Sequence, residues 1–108
     1  MNEPEALAAF ASLSNPTRLR MLKALVVAGP DGMNAGDIAE AVEATPSRAS
    51  FHLSTMAEAG LVTSSRRARE ITYRVDFKAV GALVQYLMHD CCGGNAIVRA
   101  CCGDGEGC

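Results

Sequence analysis

Apolar residues along the first ninety positions recur at helical spacing, then alternate, then return to helical spacing. From Glu5 to Leu13, the apolar Leu7, Phe10 and Ala11 with interleaved alanines predict a short first helix. Ser14-Asn15-Pro16 supplies a cap and a first-turn proline for a second. There Leu19, Leu22 and Val26, with Met21 and Leu25 beside them, predict a wide apolar face, ended by Gly29-Pro30-Asp31-Gly32. A third helix is predicted from Asn34, with Asp37 as third-position acid and Ile38, Ala39 and Val42 inward, stopping by Glu43-Ala44. Thr45-Pro46 restarts a fourth at once. Ala49, Leu53, Met56 and Ala57 form its inner face, and Gly60 suits the left-handed position beyond its end. Two helices joined by so short a turn make a helix-turn-helix.

After Gly60 the period becomes two. Leu61 to Ser65 and Glu70 to Val75 read as strands around Arg66-Arg67-Ala68-Arg69, a β-hairpin wing with an arginine-rich tip. Asp76 then caps a last helix striped by Phe77, Val80, Leu83, Val84 and Leu87. The expected architecture is mainly α with a β-hairpin wing (α+β), a winged helix-turn-helix. Residues 1–90 are expected to form one domain, for DNA binding and dimerisation, and 91–108 a Cys/Gly-rich effector-binding tail whose order depends on ligands.

Composition sharpens this picture at three points. A chain of 108 residues fits one small domain, whose marginal core gains from burying surface in a dimer. No apolar run reaches the length of a membrane span, and the acidic start Met1-Asn2-Glu3-Pro4-Glu5 is unlike a signal peptide, so a cytoplasmic location is expected. Net charge is −2, yet from Thr45 to Arg74 five arginines (Arg48, Arg66, Arg67, Arg69, Arg74) face two acids, Glu58 and Glu70, a local +3. A chain polarised in this way can turn one basic face to phosphates.

On the helix after Thr45-Pro46, an inward Ala49, Leu53 and Met56 leave Ser47, Arg48, Ser50, Phe51 and Ser54 outward. Arg48 suits a bidentate contact to guanine or a phosphate, and the serines serve either task. His52, beside inward Leu53, is read as hydrogen-bonding within the motif rather than touching DNA. Arg66, Arg67 and Arg69 are placed for phosphate or minor-groove contact.

The stretch Leu13-Ser14-Asn15-Pro16-Thr17-Arg18-Leu19-Arg20-Met21-Leu22 resembles the start of the ArsR/SmtB metalloregulators. Gly36-Asp37-Ile38-Ala39, Ser50-Phe51-His52-Leu53 and Glu58-Ala59-Gly60-Leu61-Val62 extend the resemblance over roughly residues 5 to 90. It implies a homodimer, built by the first and last helices, that represses its operon and leaves operator DNA when an inducer binds. Two departures narrow the inducer. The positions of a Cys-x-Cys found in many arsenic-responsive relatives are Asn34 and Gly36 here, and a zinc-type pattern on the last helix is broken by Lys78 and Cys92 among Asp76, Lys78, His89 and Cys92. What remains resembles the arsenite sensors whose thiols lie beyond the last helix.

All five cysteines lie from Cys91 onward, an odd count poorly suited to a disulfide framework. Cα atoms of adjacent Cys91 and Cys92 stand about 3.8 Å apart, below the about 5.5–6 Å of unstrained disulfides. Two neighbouring thiolates suit one soft ion instead. As(III) takes three sulfurs in a pyramid, and Gly93-Gly94 lets the chain fold back so that Cys101 or Cys102 adds the third. Sb(III) or methylated arsenic would use the same thiol chemistry, and a redox or persulfide switch is the alternative. A thiol enzyme needs a Cys-x-x-Cys turn or a phosphate-type loop around a nucleophilic cysteine, and the chain has neither. A winged helix that binds only protein would have lost the outward basic residues, which are kept.

Overall fold

Each α-helix among the described residues starts on a short polar side chain that takes up otherwise unpaired backbone N–H groups. The computed structural model describes residues 1–91, with side chains as far as Met88. Its elements are α1 (Glu3–Leu13), α2 (Pro16–Ala28), a 3-10 turn (Gly29–Asp31) and β1 (Met33–Asn34). There follow α3 (Ala35–Ala41), α4 (Pro46–Glu58), β2 (Val62–Arg67), β3 (Glu70–Val75), α5 (Phe77–Gln85) and a π-helical turn (Tyr86–Cys91). Asn15, Asn34, Thr45 and Asp76 cap as their sequence positions suggest. α1 begins two residues earlier than expected because Asn2 and Glu5 form a reciprocal capping box, each side chain accepting from the other's backbone N–H at 2.9 Å.

The architecture is a winged helix-turn-helix. Met21, Leu25, Ile38, Leu53, Met56 and Leu61 are fully buried at the centre, so α2, α3, α4 and the base of the hairpin share one core. Two helices sit rotated from expectation. In α1 the buried face is Ala6, Ala9 and Ser12, while Leu7 and Phe10 are exposed. In α2 it is Met21 and Leu25, while Leu19 and Val26 are exposed. α2 has a wide apolar face beside its basic Arg18, Arg20 and Lys23. α1 is apolar nearly all round after its first turn, and its smaller side chains allow the closer approach to its neighbours. α4 keeps Ala49, Leu53 and Met56 inside but leaves Ala57 exposed. In α5 Leu83 is buried, whereas Phe77 and Val84 face outward.

The sheet has order β1-β3-β2, all antiparallel. The apolar pattern does not predict β1, whose two residues pair Met33 with Tyr73 and Asn34 with Thr72. Gly32 makes that pairing possible, with φ +73° and the backbone of Tyr73 where a Cβ would stand. At the other end Asp76 donates its backbone N–H to the Leu61 carbonyl at 2.9 Å, closing the hairpin where α5 begins.

Candidate nucleic-acid interface

Burial of Ala49, Leu53 and Met56 fixes which side of α4 is free. Ser47, Arg48, Ser50, Phe51 and Ser54 are all exposed on it, Phe51 at 66%. The turn from α3 is tight. Ala44 donates to the Ala39 carbonyl at 2.9 Å, and Glu43 takes a left-handed φ of +55° to reverse the chain.

The start of α2 meets this face. Asn15, Thr17, Ser47, Arg48, Phe51 and His52 line an open cleft of about 460 Å³ between the two helices. Thr17 carries no signal in the sequence, since its approach to α4 is a packing relation that spacing along one helix cannot reveal. His52 is half-buried, and its ring meets the Phe51 ring edge-on with centroids 5.8 Å apart. Its Nδ1 lies 3.0 Å from an Arg18 guanidinium nitrogen. Arginine has no acceptor, so Arg18 donates and the ring proton sits on Nε2. Desolvation first, then the charges of Arg18 and Arg48, hold the imidazole below its ordinary 6.5. The sequence reading puts the hydrogen bond of His52 within the helix-turn-helix, whereas its partner is Arg18 of α2, outside the α3–α4 motif.

In the wing, the turn is only Ala68-Arg69, with Ala68 at φ +57°. Arg66 and Arg67, expected at the tip, instead extend β2 opposite Ile71 and Glu70. As successive strand residues they project to opposite faces. Arg66 shares the face of buried Tyr73 and Val75, and its Nε donates to the Ala68 carbonyl at 3.3 Å. Arg67 shares the other face with Arg74, whose guanidinium donates to Ser65 Oγ at 3.0 Å. Arg66, Arg67 and Arg69 are all exposed.

Asn34 ties the wing to the helix-turn-helix. Its Oδ1 accepts from the Asp37 N–H at 2.7 Å, while its Nδ2 donates to Glu70 Oε1 at 3.0 Å. The expected thiol site falls elsewhere: residues 92–108, and the side chain of Cys91, lie outside the described residues, and with them Cys91, Cys92, Cys101 and Cys102 as ligands. Among the described residues no group of three or more His, Cys, Asp or Glu is placed to hold a metal ion. Asp76, one of the positions compared with a zinc-type pattern, accepts from the Ala79 N–H as the cap of α5. Among the described residues no helix is long and apolar enough to cross a membrane.

Comparison with known proteins agrees with this geometry. Residues 13–65 match the family described as a helix-turn-helix domain. The chain is 32% identical over 88 residues to the HTH-type transcriptional regulator YgaV of Escherichia coli K12, spanning 82% of this chain and 87% of that protein. An ArsR-like transcriptional regulator from Rhodococcus sp. RHA1 superposes with TM-score 0.72 at 25% identity, over 97% of this chain and 96% of that one. The homodimeric winged helix-turn-helix DNA-binding domain of Mb0332 from Mycobacterium bovis gives TM-score 0.64 at 24% identity, over 86% of each chain.

Proposed function

The chain belongs to the ArsR family of helix-turn-helix transcriptional regulators, and from that premise we propose a homodimeric repressor released from operator DNA by As(III). The observation that carries the DNA reading is the outward face of α4. Ser47, Arg48, Ser50, Phe51 and Ser54 stand exposed on a helix held by three buried anchors, with the arginine-bearing hairpin in the same domain. Such a helix enters the major groove, its early residues reading base edges, while the wing arginines neutralise phosphates.

Dimerisation uses α1 and α5. Leu7 and Phe10 on the first, with Phe77 and Val84 on the second, are apolar and exposed in a single chain, a burial deficit that a partner removes. Homodimeric Mb0332, of the same fold, supports this assembly.

The inducer reading rests on chemistry. Three cysteine thiols and As(OH)₃ give a tris-thiolate and three waters, each thiol proton leaving with one hydroxyl and no change in oxidation state. Cys91, Cys92 and one of Cys101 and Cys102 would supply the sulfurs, from the end of the π-helical turn that follows α5, the proposed dimer helix, onward. Capture then favours release only through its preference for a dimer arrangement that spaces the two α4 helices away from the about 34–36 Å of successive major grooves.

A DNA-release titration with arsenite, methylarsenite, antimonite, zinc, cadmium and peroxide tests the reading. Arsenite should release the wild-type protein, and Cys91→Ser or Cys92→Ser should bind DNA normally yet resist release. Normal release of the double variant by arsenite would move the sensor elsewhere, and release by peroxide alone would favour a redox switch.

A further inference from the structure

Arg18 joins three helices. Its backbone N–H donates to the Asn15 cap at 3.2 Å, anchoring it in the first turn of α2. Its Nε donates to the Ser12 carbonyl at 2.5 Å, in the last turn of α1. That carbonyl is one of those a helix end leaves without an intrahelical partner, and a cation there also suits the helix dipole. The last turn of α1 has no basic residue of its own. A second guanidinium nitrogen reaches His52 Nδ1 at 3.0 Å. His52 in turn packs on Phe51 and lines the same cleft as Arg48.

We infer that Arg18 is a positioning residue for DNA reading, a strut that acts through His52 to fix how the outward face of α4 is presented. The inference rests on the proposal that α4 reads DNA. It assigns His52 the part of a hinge pin: the ring is held by Arg18 from behind and meets the exposed residues in front. The planar guanidinium can serve both acceptors at once, and a lysine ammonium at the end of a flexible stem cannot hold the same fork.

The strut works only while His52 is neutral. Protonation turns Nδ1 from acceptor into donor and sets a third cation beside Arg18 of α2 and Arg48 of α4, while α1 offers the neutral Ser12 carbonyl. Because the folded imidazole titrates below the 6.5 of the unfolded chain, its contribution is full above 6.5 and is lost as pH falls through the lower, folded value. A charge near DNA would by itself strengthen binding to any sequence. A positioning strut instead loses discrimination at acid pH.

The experiment measures wild type, Arg18→Lys, His52→Ala and His52→Asn against two labelled duplexes from about pH 5 to 8. One duplex carries the DNA upstream of the chain's own gene and the other is scrambled; each variant's thermal midpoint is recorded alongside. In the wild type the ratio of specific to scrambled affinity should fall about tenfold toward acid, the worth of one charge-assisted hydrogen bond. Arg18→Lys and His52→Ala should show the reduced ratio already at pH 8. His52→Asn, whose amide oxygen stands near the place of Nδ1, should keep the high ratio and lose the pH dependence. His89, the other histidine, is present in every variant and so cannot explain that contrast. If Arg18→Lys fails to fold, the contrast between His52→Asn and His52→Ala decides alone. A wild-type ratio flat with pH, or equal ratios for both His52 variants, would overturn the strut while leaving α4 as the DNA reader. Absence of wild-type binding to either duplex would overturn the DNA reading, and the strut with it.

Discussion

Replacing Gly32 with alanine tests how the wing is attached, and Gly29 supplies its internal control. Both glycines have the same unusual backbone, φ +74° and ψ −153° at Gly29 and φ +73° and ψ −165° at Gly32. That region is nearly closed to other residues and costs of order 1–3 kcal/mol for a side chain forced into it. The surroundings differ. A Cβ on Gly29 meets nothing within 4 Å, whereas one on Gly32 runs into the Tyr73 carbonyl and comes within 2.8 Å of Arg74 Cγ. Arg74 can swing away, but Tyr73 offers backbone, so β1 must part from β3 and lose one or two ladder hydrogen bonds at about 0.5–1.5 kcal/mol each. Gly32→Ala should therefore cost about 1–3 kcal/mol more than Gly29→Ala in urea unfolding followed by circular dichroism. Each extra kcal/mol lowers the thermal midpoint by roughly 4–8 °C in a domain of this size. Two equally destabilised variants would show that the close approach at Tyr73 carries no energy and that the wing is held by its hairpin alone.

Three further outcomes are expected. Arg48→Ala should weaken operator binding by about 1–3 kcal/mol; an equal loss on random DNA in a competition titration would make Arg48 a phosphate anchor rather than a base reader. Neutral residues at Arg66, Arg67 and Arg69 should reduce the slope of log affinity against log salt by about 0.9 for every phosphate that is no longer neutralised, and an unchanged slope would take the wing off the DNA. Ser12 is buried with its Oγ lacking a hydrogen-bond partner among the described residues. Ser12→Ala should thus raise unfolding stability by about 1 kcal/mol without altering DNA affinity, because Arg18 uses the backbone carbonyl, not the hydroxyl. A destabilised Ser12→Ala would mean that the hydroxyl finds a partner.

What the sequence makes legible is local. Asn15-Pro16, Asn34, Thr45-Pro46 and Asp76 mark helix starts because a cap and its amides lie within three residues of each other. The outward face of α4 is legible too, since Ala49, Leu53 and Met56 alternate with polar neighbours. The faces of α1 and α2 are not, because each offers more apolar residues than one face can bury and only packing chooses Ala6 over Leu7, or Met21 over Leu22. β1 escapes because two residues carry no period and their partner strand comes much later in the chain. The split of Arg66 from Arg67 follows from a two-residue turn, and the sequence offers Ala68-Arg69 there rather than a glycine signal. Arg18 reads as one helical arginine among several until α1, α2 and α4 are brought together.

The joint between the wing and the last helix has almost no slack. Val75 ends β3, Asp76 caps α5, and that one residue is pinned again by its N–H to Leu61 at the foot of β2. The hairpin is thus a lever arm and α5 its axle. A rotation of α5 at a dimer seam is carried to the Ala68-Arg69 tip across six residue pairs of strand ladder, about 20 Å at the rise of an antiparallel strand. At that radius a turn of roughly 10° displaces the tip by about 3.5 Å, comparable to the axial rise per nucleotide of one DNA strand. A small tilt of the helix preceding Cys91 would thereby shift the wing arginines by about one base-pair rise along the DNA axis without unfolding any element.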